Sequence, residues 1–122
     1  MSGIERINPP GAPAPRGPYS PAVRAGDFIF VSGQVPGEPG DVAGETRQVL
    51  NNLKRILEGC GSSLADVVKC SVFLANGDDF AAMNAVYAEF FGEAKPARST
   101  VVTAFAIPNI KVEIDAIAYS PR

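Results

Sequence analysis

Residues 67–91, with the sequence VVKCSVFLANGDDFAAMNAVYAEFF, decide the fold, because the spacing of their apolar side chains changes from that of a strand to that of a helix. Residues 67–75 predict a strand that is apolar on both faces. One face carries Val68, Cys70, Val72 and Leu74, and the other carries Val67 and Phe73. This strand therefore needs cover on both sides of its sheet.

The second part of the same stretch predicts a turn followed by a helix. Asn76-Gly77 turns the chain, and Asp78 or Asp79 is suited to cap a helix that continues through Phe91. The apolar stripe of this helix consists of Phe80, Met83, Tyr87, Phe90 and Phe91. We expect this stripe to pack against the sheet.

Outside this stretch, the sequence predicts a further helix and at least three further strands. The helix begins after Asp41, a suitable N-cap, and ends near Cys60, with an apolar stripe of Val49, Leu53, Ile56, Leu57 and Cys60. The strands fall at residues 27–32, 98–103 and 111–119. The many prolines of residues 8–21 forbid a helix there and indicate an extended, turn-rich segment. The order is roughly β-(β)-β-α-β-α-β-β, which predicts a single α+β domain over residues 1–122 with two helices on one face of a sheet.

The other face of the predicted sheet indicates self-association. Two helices can cover only one face, and the second face still carries Val67, Phe73, Ile117 and Tyr119. So much apolar surface is unfavourable in water. We therefore expect copies of the chain to pack against one another through this face.

Composition excludes several classes of function. The chain has no histidine, which removes the usual general base and every nucleophile pair that contains His. Its formal net charge of -2 gives no long-range attraction to nucleic acid or to anionic membranes. No apolar segment resembles a membrane span or a signal peptide, so we expect a cytoplasmic protein. Cys60 and Cys70 are too few for a zinc site, and they predict two buried, reduced thiols rather than a disulfide.

Two charged residues are candidates for chemistry, and each has a structural alternative. Arg98 opens a strand after a loop, where its guanidinium can bind a carboxylate through two parallel hydrogen bonds. Alternatively, it forms a salt bridge with Glu93 or Asp115. Glu113 projects from the helix-free face among apolar neighbours, which raise a carboxyl pKa and suit it to activating water. Its alternative is an ion pair with Lys111.

Two smaller polar residues are further candidates. Asn84 lies beside the apolar stripe of the second predicted helix and can bond either a ligand or the next strand. Ser32 ends a strand together with Gly33, where a small residue allows close approach of the backbone. Ser32 has no neighbouring base and is therefore a poor nucleophile.

Several short motifs are spread over essentially the whole chain. They are Gly17-Pro18-Tyr19-Ser20-Pro21, Val31-Ser32-Gly33-Gln34-Val35-Pro36, Asn51-Asn52-Leu53-Lys54, Phe80 to Asn84 with Tyr87 and Phe90-Phe91, Pro96-Ala97-Arg98-Ser99, and residues 112–118. In these motifs and in their order, the chain resembles the Rid (reactive intermediate deaminase) or YjgF family. The resemblance implies a chorismate-mutase-like α+β fold and a homotrimer with active sites between subunits. It also implies cofactor-independent, metal-free hydrolysis of 2-imino or 2-enamino acids, such as 2-iminobutanoate and 2-iminopropanoate, to 2-oxo acids and ammonia.

The resemblance further implies roles for individual residues. Arg98 matches the arginine that binds the substrate carboxylate, and Glu113 matches the glutamate that orients the attacking water. The residues that match those shaping the pocket or bonding the ligand are Tyr19, Ser32 and Asn84. Thr100 stands where the family often has cysteine, so that a backbone N–H contact is retained and thiol chemistry is not. The loop 92–95 looks shorter than in many members, which bears on the walls of the cleft.

Two other classes of function stay open at this point. The same cleft would suit a non-catalytic module that binds small carboxylic acids or holds unfolded chains. A ribonuclease or translation inhibitor, an activity also associated with relatives, has less support. An acidic chain without histidine lacks the aromatic and basic stripe that such a protein needs.

Overall fold

The computed structural model describes residues 3–122, which form a six-stranded sheet and two α-helices. The strands are β1 (Ile4–Ile7), β2 (Ala22–Ala25), β3 (Phe28–Gln34), β4 (Val67–Leu74), β5 (Ala97–Val102) and β6 (Val112–Tyr119). The helices are α1 (Val42–Gly59) and α2 (Phe80–Phe91). No helix among the described residues is long and apolar enough to cross a membrane. The element order and the α+β class agree with the prediction.

The strands lie side by side in the order β1-β2-β3-β6-β4-β5, with β4–β5 parallel and the other neighbours antiparallel. The helix α1 packs on β3 and β6, and α2 packs on α1. Alternate residues of the central strands are buried beneath the helices, among them Ile29, Cys70, Val72, Val112, Ile114 and Ala118. One face of the sheet therefore forms the core, as the sequence predicts.

The helix α1 forms where the sequence predicts it, with a buried stripe that includes Val49, Leu53, Ile56 and Leu57. The Asp41 side chain caps it by accepting a hydrogen bond from the Gly44 backbone N–H at 2.8 Å. Cys60 lies beyond the last turn and is only partly buried, so the prediction of two buried thiols is wrong for Cys60. Cys70 is buried, and both cysteines are free.

The helix α2 differs from its prediction at both ends of the stripe. A short 3₁₀ turn, Gly77–Asp79, precedes it, and neither Asp78 nor Asp79 caps it with a side-chain hydrogen bond. Phe80 therefore opens the helix at its exposed end and has 46% of its surface accessible. The buried stripe consists of Met83, Val86, Tyr87 and Phe91, whereas Phe90 is only half-buried.

A β-bulge in β4 overturns the predicted faces of its first two residues. Val67 pairs with Ala118 and Lys69 pairs with Ile117, so that β4 holds one residue more than β6 across this step. The alternation of side chains shifts by one position at the bulge. Val67 is consequently buried in the core, and Val68 is 44% exposed on the opposite face.

The face of the sheet away from the helices carries exposed apolar side chains. They include Phe28, Phe30, Val68, Val101 and Tyr119, each with 41% to 47% of its surface accessible. The rings of Phe28 and Tyr119 lie with their centroids 5.4 Å apart. The predicted apolar face is present in this chain, although Val67 does not belong to it.

The short N-terminal strands are not located by the apolar pattern, because each holds only four residues. They form a ribbon on the edge of β3, and residues 8–21 between them contain no helix or strand, as their prolines predict. This segment passes close to the end of β3, where it forms one wall of a cavity.

Candidate functional site

Glu113 lies on β6, on the face of the sheet that the helices leave open. Its neighbours in the strand, Val112 and Ile114, are buried in the core on the other face. Burial raises the pKa of the Glu113 carboxyl above its ordinary value, and the negative charge of Asp115 raises it further. A carboxylate with a raised pKa is a stronger base, which suits it to accept a proton from water.

A second bulge brings the backbone of β3 against Glu113. Val31 pairs with Ala116 and Gln34 pairs with Ile114, so two residues of β3, Ser32 and Gly33, lie opposite one residue of β6. A Cβ atom placed on Gly33 would overlap the Glu113 carboxylate. Only glycine therefore allows this approach, which agrees with the small residue that we expected at the strand end.

Ser32 holds the proline-rich segment onto the end of β3, and Tyr19 makes a hydrogen bond within that segment. The Ser32 hydroxyl donates to the Ser20 carbonyl at 2.7 Å, and the Ser32 backbone N–H donates to the Pro21 carbonyl at 3.0 Å. The Tyr19 hydroxyl accepts from the backbone N–H of Arg16 at 3.1 Å, and its ring is 48% exposed. Ser32 thus positions the proline-rich segment, and Tyr19 forms part of a cavity rim.

These groups line a cavity of about 580 Å³ that opens between the proline-rich segment, the end of β3 and α1. Its lining includes Tyr19, Ser32, Gly33 and Glu113 together with Arg16, Gln48, Asn52 and Arg55. A volume of this order is typical of small-molecule sites. The cavity therefore joins three of the predicted site residues, which are Tyr19, Ser32 and Glu113.

Two amide side chains of α1, one turn apart, fix the loop that follows β3 as a wall of this cavity. Gln48 donates to the Glu38 carbonyl and accepts from the Glu38 backbone N–H, both at 3.1 Å. Asn52 donates to the Val35 carbonyl at 3.3 Å. Gln48, Asn52 and their neighbour Arg55 were not predicted as site residues, because only the tertiary contact between α1 and this loop brings them to the cavity.

Arg98 lies on the edge strand β5, and its side chain turns toward α2. The carbon of its guanidinium is 4.8 Å from the ring centroid of Tyr87 and 5.6 Å from that of Phe80. Arg98 pairs in register with Cys70, which is buried beneath the helices, and the side chains of such a pair lie on the same face of the sheet.

Two polar atoms of α2, about one turn apart, are buried: the side-chain oxygen of Asn84 and the hydroxyl of Tyr87. Neither forms a hydrogen bond of standard geometry within residues 3–122, although the Tyr87 hydroxyl interacts with the Cys70 thiol and the Arg98 guanidinium. Burial raises the pKa of Tyr87 above its usual range, and burial also raises the pKa of the Cys70 thiol to about 11. Both groups are consequently neutral at physiological pH. A bound ligand would give the Asn84 oxygen and the Tyr87 hydroxyl hydrogen bonds of standard geometry.

Neither of the alternative ion pairs forms within the part of the chain that the structure describes. Arg98 has no salt bridge there, and Asp115 instead accepts a hydrogen bond from the Ser71 backbone N–H at 2.9 Å. Lys111 pairs with Glu45 at 3.6 Å rather than with Glu113. Both charged candidates are therefore free for another partner.

In one protomer the predicted site residues fall into two groups on opposite faces of the sheet. The first group is Tyr19, Ser32 and Glu113, in the cavity beside Gly33. The second group is Asn84, Arg98 and Thr100, toward the helices at the β5 edge; Thr100 follows Arg98 by two residues and pairs with buried Val72. Two strand spacings, roughly 10 Å, and the thickness of the sheet separate the groups.

One sheet with two α-helices on one face is the architecture of a small α+β protein. In this chain the two faces of the sheet carry separate groups of polar side chains. The particular family follows from the similarity of the chain to known proteins. The family model described as Endoribonuclease L-PSP matches residues 10–120. This chain belongs to that family, which includes the YjgF and RutC proteins.

Its relatives match over most of their length. A RutC family protein of Pyrococcus horikoshii is 51% identical over 115 residues, which cover 88% of this chain and 91% of the relative. The 2-iminobutanoate/2-iminopropanoate deaminase of Escherichia coli is 46% identical over 116 residues, with the same coverage of 88% and 91%. The crystal structure of the YjgF gene product from Escherichia coli superposes with a TM-score of 0.87 at 44% identity, covering 94% of this chain and 98% of that one. The predicted family and the YjgF-type fold are confirmed.

Proposed function

We propose that this protein hydrolyses 2-imino and 2-enamino acids, with 2-iminobutanoate and 2-iminopropanoate as substrates, to 2-oxo acids and ammonia. The observation that carries the proposal is the state of Arg98. Its guanidinium lies over two aromatic rings without a carboxylate partner among residues 3–122, and two buried polar atoms of α2 form no hydrogen bond of standard geometry there. The relative from Escherichia coli that bears this activity in its name supports the same conclusion.

Arg98 binds the carboxylate of the substrate in this proposal. A guanidinium presents two parallel N–H donors that match the two oxygens of a carboxylate. The rings of Tyr87 and Phe80 fix its plane, and the Tyr87 hydroxyl and the Asn84 amide are available to bond the ligand. Because β5 is an edge strand, some of its backbone N–H groups face away from β4, and in this proposal that of Thr100 is a further donor to the ligand.

Glu113 directs the attacking water. The protonated imine is already electrophilic at C2, so that the protein mainly positions the reactants and stabilises charge. Glu113 accepts a proton from water as the water oxygen bonds to C2, and the C=N bond becomes a C–N bond. Glu113 then returns the proton to nitrogen. The C–N bond breaks as the C2 hydroxyl gives its proton to Glu113 and C2–O becomes a carbonyl. Glu113 passes this proton to the departing ammonia, which leaves as ammonium.

The separation of the two groups leads us to propose that the active site is assembled from two copies of the chain. A ligand held by Arg98 of one protomer cannot reach Glu113 of the same protomer through the sheet. The exposed aromatic face, with Phe28, Phe30 and Tyr119, supplies the apolar surface for such an association. A homotrimer with three clefts, the arrangement implied by the family resemblance, meets this requirement.

The test couples the protein to a dehydratase that generates 2-aminoacrylate or 2-iminobutanoate and measures the rate of 2-oxo acid formation above the uncatalysed rate. We expect Arg98→Ala to lower kcat/KM at least about a hundredfold, because a charge-assisted bidentate contact is lost. Arg47→Ala, which removes an exposed arginine of α1 that is paired with Glu89, is the matched control and should retain wild-type activity.

Equal rates for the wild type and Arg98→Ala would refute the proposal. Binding of a 2-oxo acid without any acceleration of imine hydrolysis would instead favour a non-catalytic carboxylate-binding module. Cleavage of RNA by the purified wild type, lost in Glu113→Gln, would favour the activity that the family model's description bears.

A further inference from the structure

The cavity beside Glu113 has two positively charged side chains that the proposed reaction does not use. Arg16 lies in the proline-rich segment and Arg55 in α1, and both line the cavity and are exposed to solvent. Neither guanidinium forms a salt bridge with any residue in 3–122, whereas Arg47, on the same helix as Arg55, is paired with Glu89 at 2.8 Å. The cavity thus contains two guanidinium groups that have no ionic partner within the described residues.

Arg55 is held in place on the cavity side of α1. Its guanidinium donates to the side-chain oxygen of Asn52 at 2.8 Å, and Asn52, with 6% of its surface exposed, is itself anchored to the Val35 carbonyl. Glu58, one turn later, is a natural partner for an arginine three residues before it, but no ion pair forms. The remaining N–H groups of Arg55 are therefore available to a ligand.

The cavity is larger and more basic than an imino acid with a small uncharged side chain requires. Its volume is about 580 Å³, within the range that accommodates drug-sized ligands. Glu113 is the only carboxylate among its lining residues, against two arginines. A guanidinium in a partly enclosed site is a specific receptor for carboxylate or phosphate groups.

We propose that the cavity selects imino acids whose side chain carries a second anionic group, which Arg55 and Arg16 bind while the 2-carboxylate is bound elsewhere in the site. This inference rests on the proposed deaminase function and specifies its substrate class. The preferred substrates are 2-imino dicarboxylates rather than imino acids with short alkyl side chains. Glu113 lies between the two anionic groups of such a substrate, next to the carbon that water attacks.

The experiment compares two substrates of equal chain length. An amino-acid oxidase generates 2-iminopentanedioate, which has a terminal carboxylate, or 2-iminopentanoate, which lacks it, and the ratio of their kcat/KM values is measured. We expect the wild type to favour the dicarboxylate, and Arg55→Gln to lower this ratio by about tenfold or more, because a charge-assisted hydrogen bond is lost. Raising the salt concentration should lower the wild-type ratio in the same direction.

Lys54→Gln is the matched control, because it removes the neighbouring positive charge of α1 that lies outside this cavity. It should leave the ratio unchanged. A wild-type ratio at or below one, or an equal change in Lys54→Gln and Arg55→Gln, would overturn the inference.

Failure of the proposed function is recognised separately by binding. If no imine is hydrolysed, titration of the stable analogues 2-oxopentanedioate and 2-oxopentanoate still measures the preference for a second carboxylate. Tighter binding of the diacid that is lost in Arg55→Gln would support the anionic subsite without the reaction. Equal affinities of the wild type for both analogues would exclude the subsite.

Discussion

At position 33 the side chain is a single hydrogen atom, and the Glu113 carboxylate occupies the space that any larger side chain would need. We expect Gly33→Ala to displace this carboxylate and to lower kcat/KM by about a hundredfold, since a displacement of roughly 1 Å in a site has that effect. Gly40→Ala is the control, because a Cβ there meets no atom within 4 Å. Thermal melts establish that both variants fold, and full activity of Gly33→Ala would contradict the prediction.

The raised pKa of Glu113 predicts the pH dependence of the reaction. Glu113 acts as a base in its ionised form, and that form is lost as the pH falls through the raised pKa. The acidic limb of a kcat/KM profile should therefore lie above the ordinary glutamate value of about 4.3. Asp115→Asn removes the neighbouring negative charge and should move this limb to lower pH. A limb that stays in place in that variant would show that the charge of Asp115 has no part in the shift.

The environment of Glu113 could be predicted from the sequence, whereas its contact with Gly33 could not. Strict alternation along 112–119 separates the charged face from the apolar one, and the structure preserves it. The approach of Gly33 depends on a bulge, which is a property of two paired strands and has no signal in either alone. The aromatic surroundings of Arg98 depend in the same way on a tertiary contact, that of its side chain with two rings of α2.

Among the elements, α1 connects two other segments of the chain through a buried carboxylate, Glu45, in addition to packing its apolar stripe on the sheet. Glu45 in its first turn is fully buried, accepts from the Gly40 backbone N–H at 3.1 Å and from the Lys111 backbone N–H at 2.7 Å, and is 3.6 Å from the Lys111 ammonium. It thereby connects the helix to the loop after β3 and to the start of β6. These two segments form walls of the cavity that contains Glu113.

We expect Glu45→Ala to lower the free energy of unfolding by about 2–4 kcal/mol, because two backbone donors lose their acceptor in a buried site. Glu45→Gln keeps one oxygen acceptor and should lose less. Urea unfolding followed by circular dichroism measures both variants. A loss below about 0.5 kcal/mol for Glu45→Ala, the range of ordinary surface substitutions, would contradict this role.

The type and order of the elements could be predicted from apolar periodicity, but not the exact orientation of every residue. Val67 and Val68 exchange faces because the bulge in β4 shifts the alternation by one residue. Phe80 is exposed because the 3₁₀ turn before α2 places it at the helix end. Hydrophobicity alone ranks these residues as equally suited to the core, and only the paired backbone distinguishes them.

For the molecule as a whole, the opposite orientation of Arg98 and Glu113 predicts complementation between inactive variants. Arg98→Ala and Glu113→Gln should each be nearly inactive alone. Co-expressed in equal amounts with different tags, they form mixed assemblies in which about a quarter of the sites combine an intact Arg98 from one copy with an intact Glu113 from another. The coupled assay should then recover a corresponding fraction of wild-type activity. Absence of recovery in a preparation shown to contain both tags would contradict a site assembled from two copies.

At this scale the sequence predicts a need for association, and the structure of one protomer explains why function would depend on it. The count of helices against sheet faces indicates an uncovered surface, and Phe28, Phe30 and Tyr119 are indeed exposed. The separation of the candidate residues into two groups requires the strand register, which places Arg98 beside Cys70 and Glu113 beside Phe73. No spacing in the linear sequence contains that information.

The strand order has a consequence for how the chain is made. The strand β6 lies between β3 and β4, although every other strand precedes it in the sequence. During synthesis, the ribbon β1-β2-β3 and the pair β4-β5 therefore emerge before the strand that joins them. Until β6 is made, the edges of β3 and β4 have unpaired N–H and C=O groups, which are prone to pair with the wrong strand. The strand β6 carries the proposed catalytic carboxylate, Glu113, and also completes the sheet. The nascent chain thus completes its sheet and places Glu113 in the same late folding step.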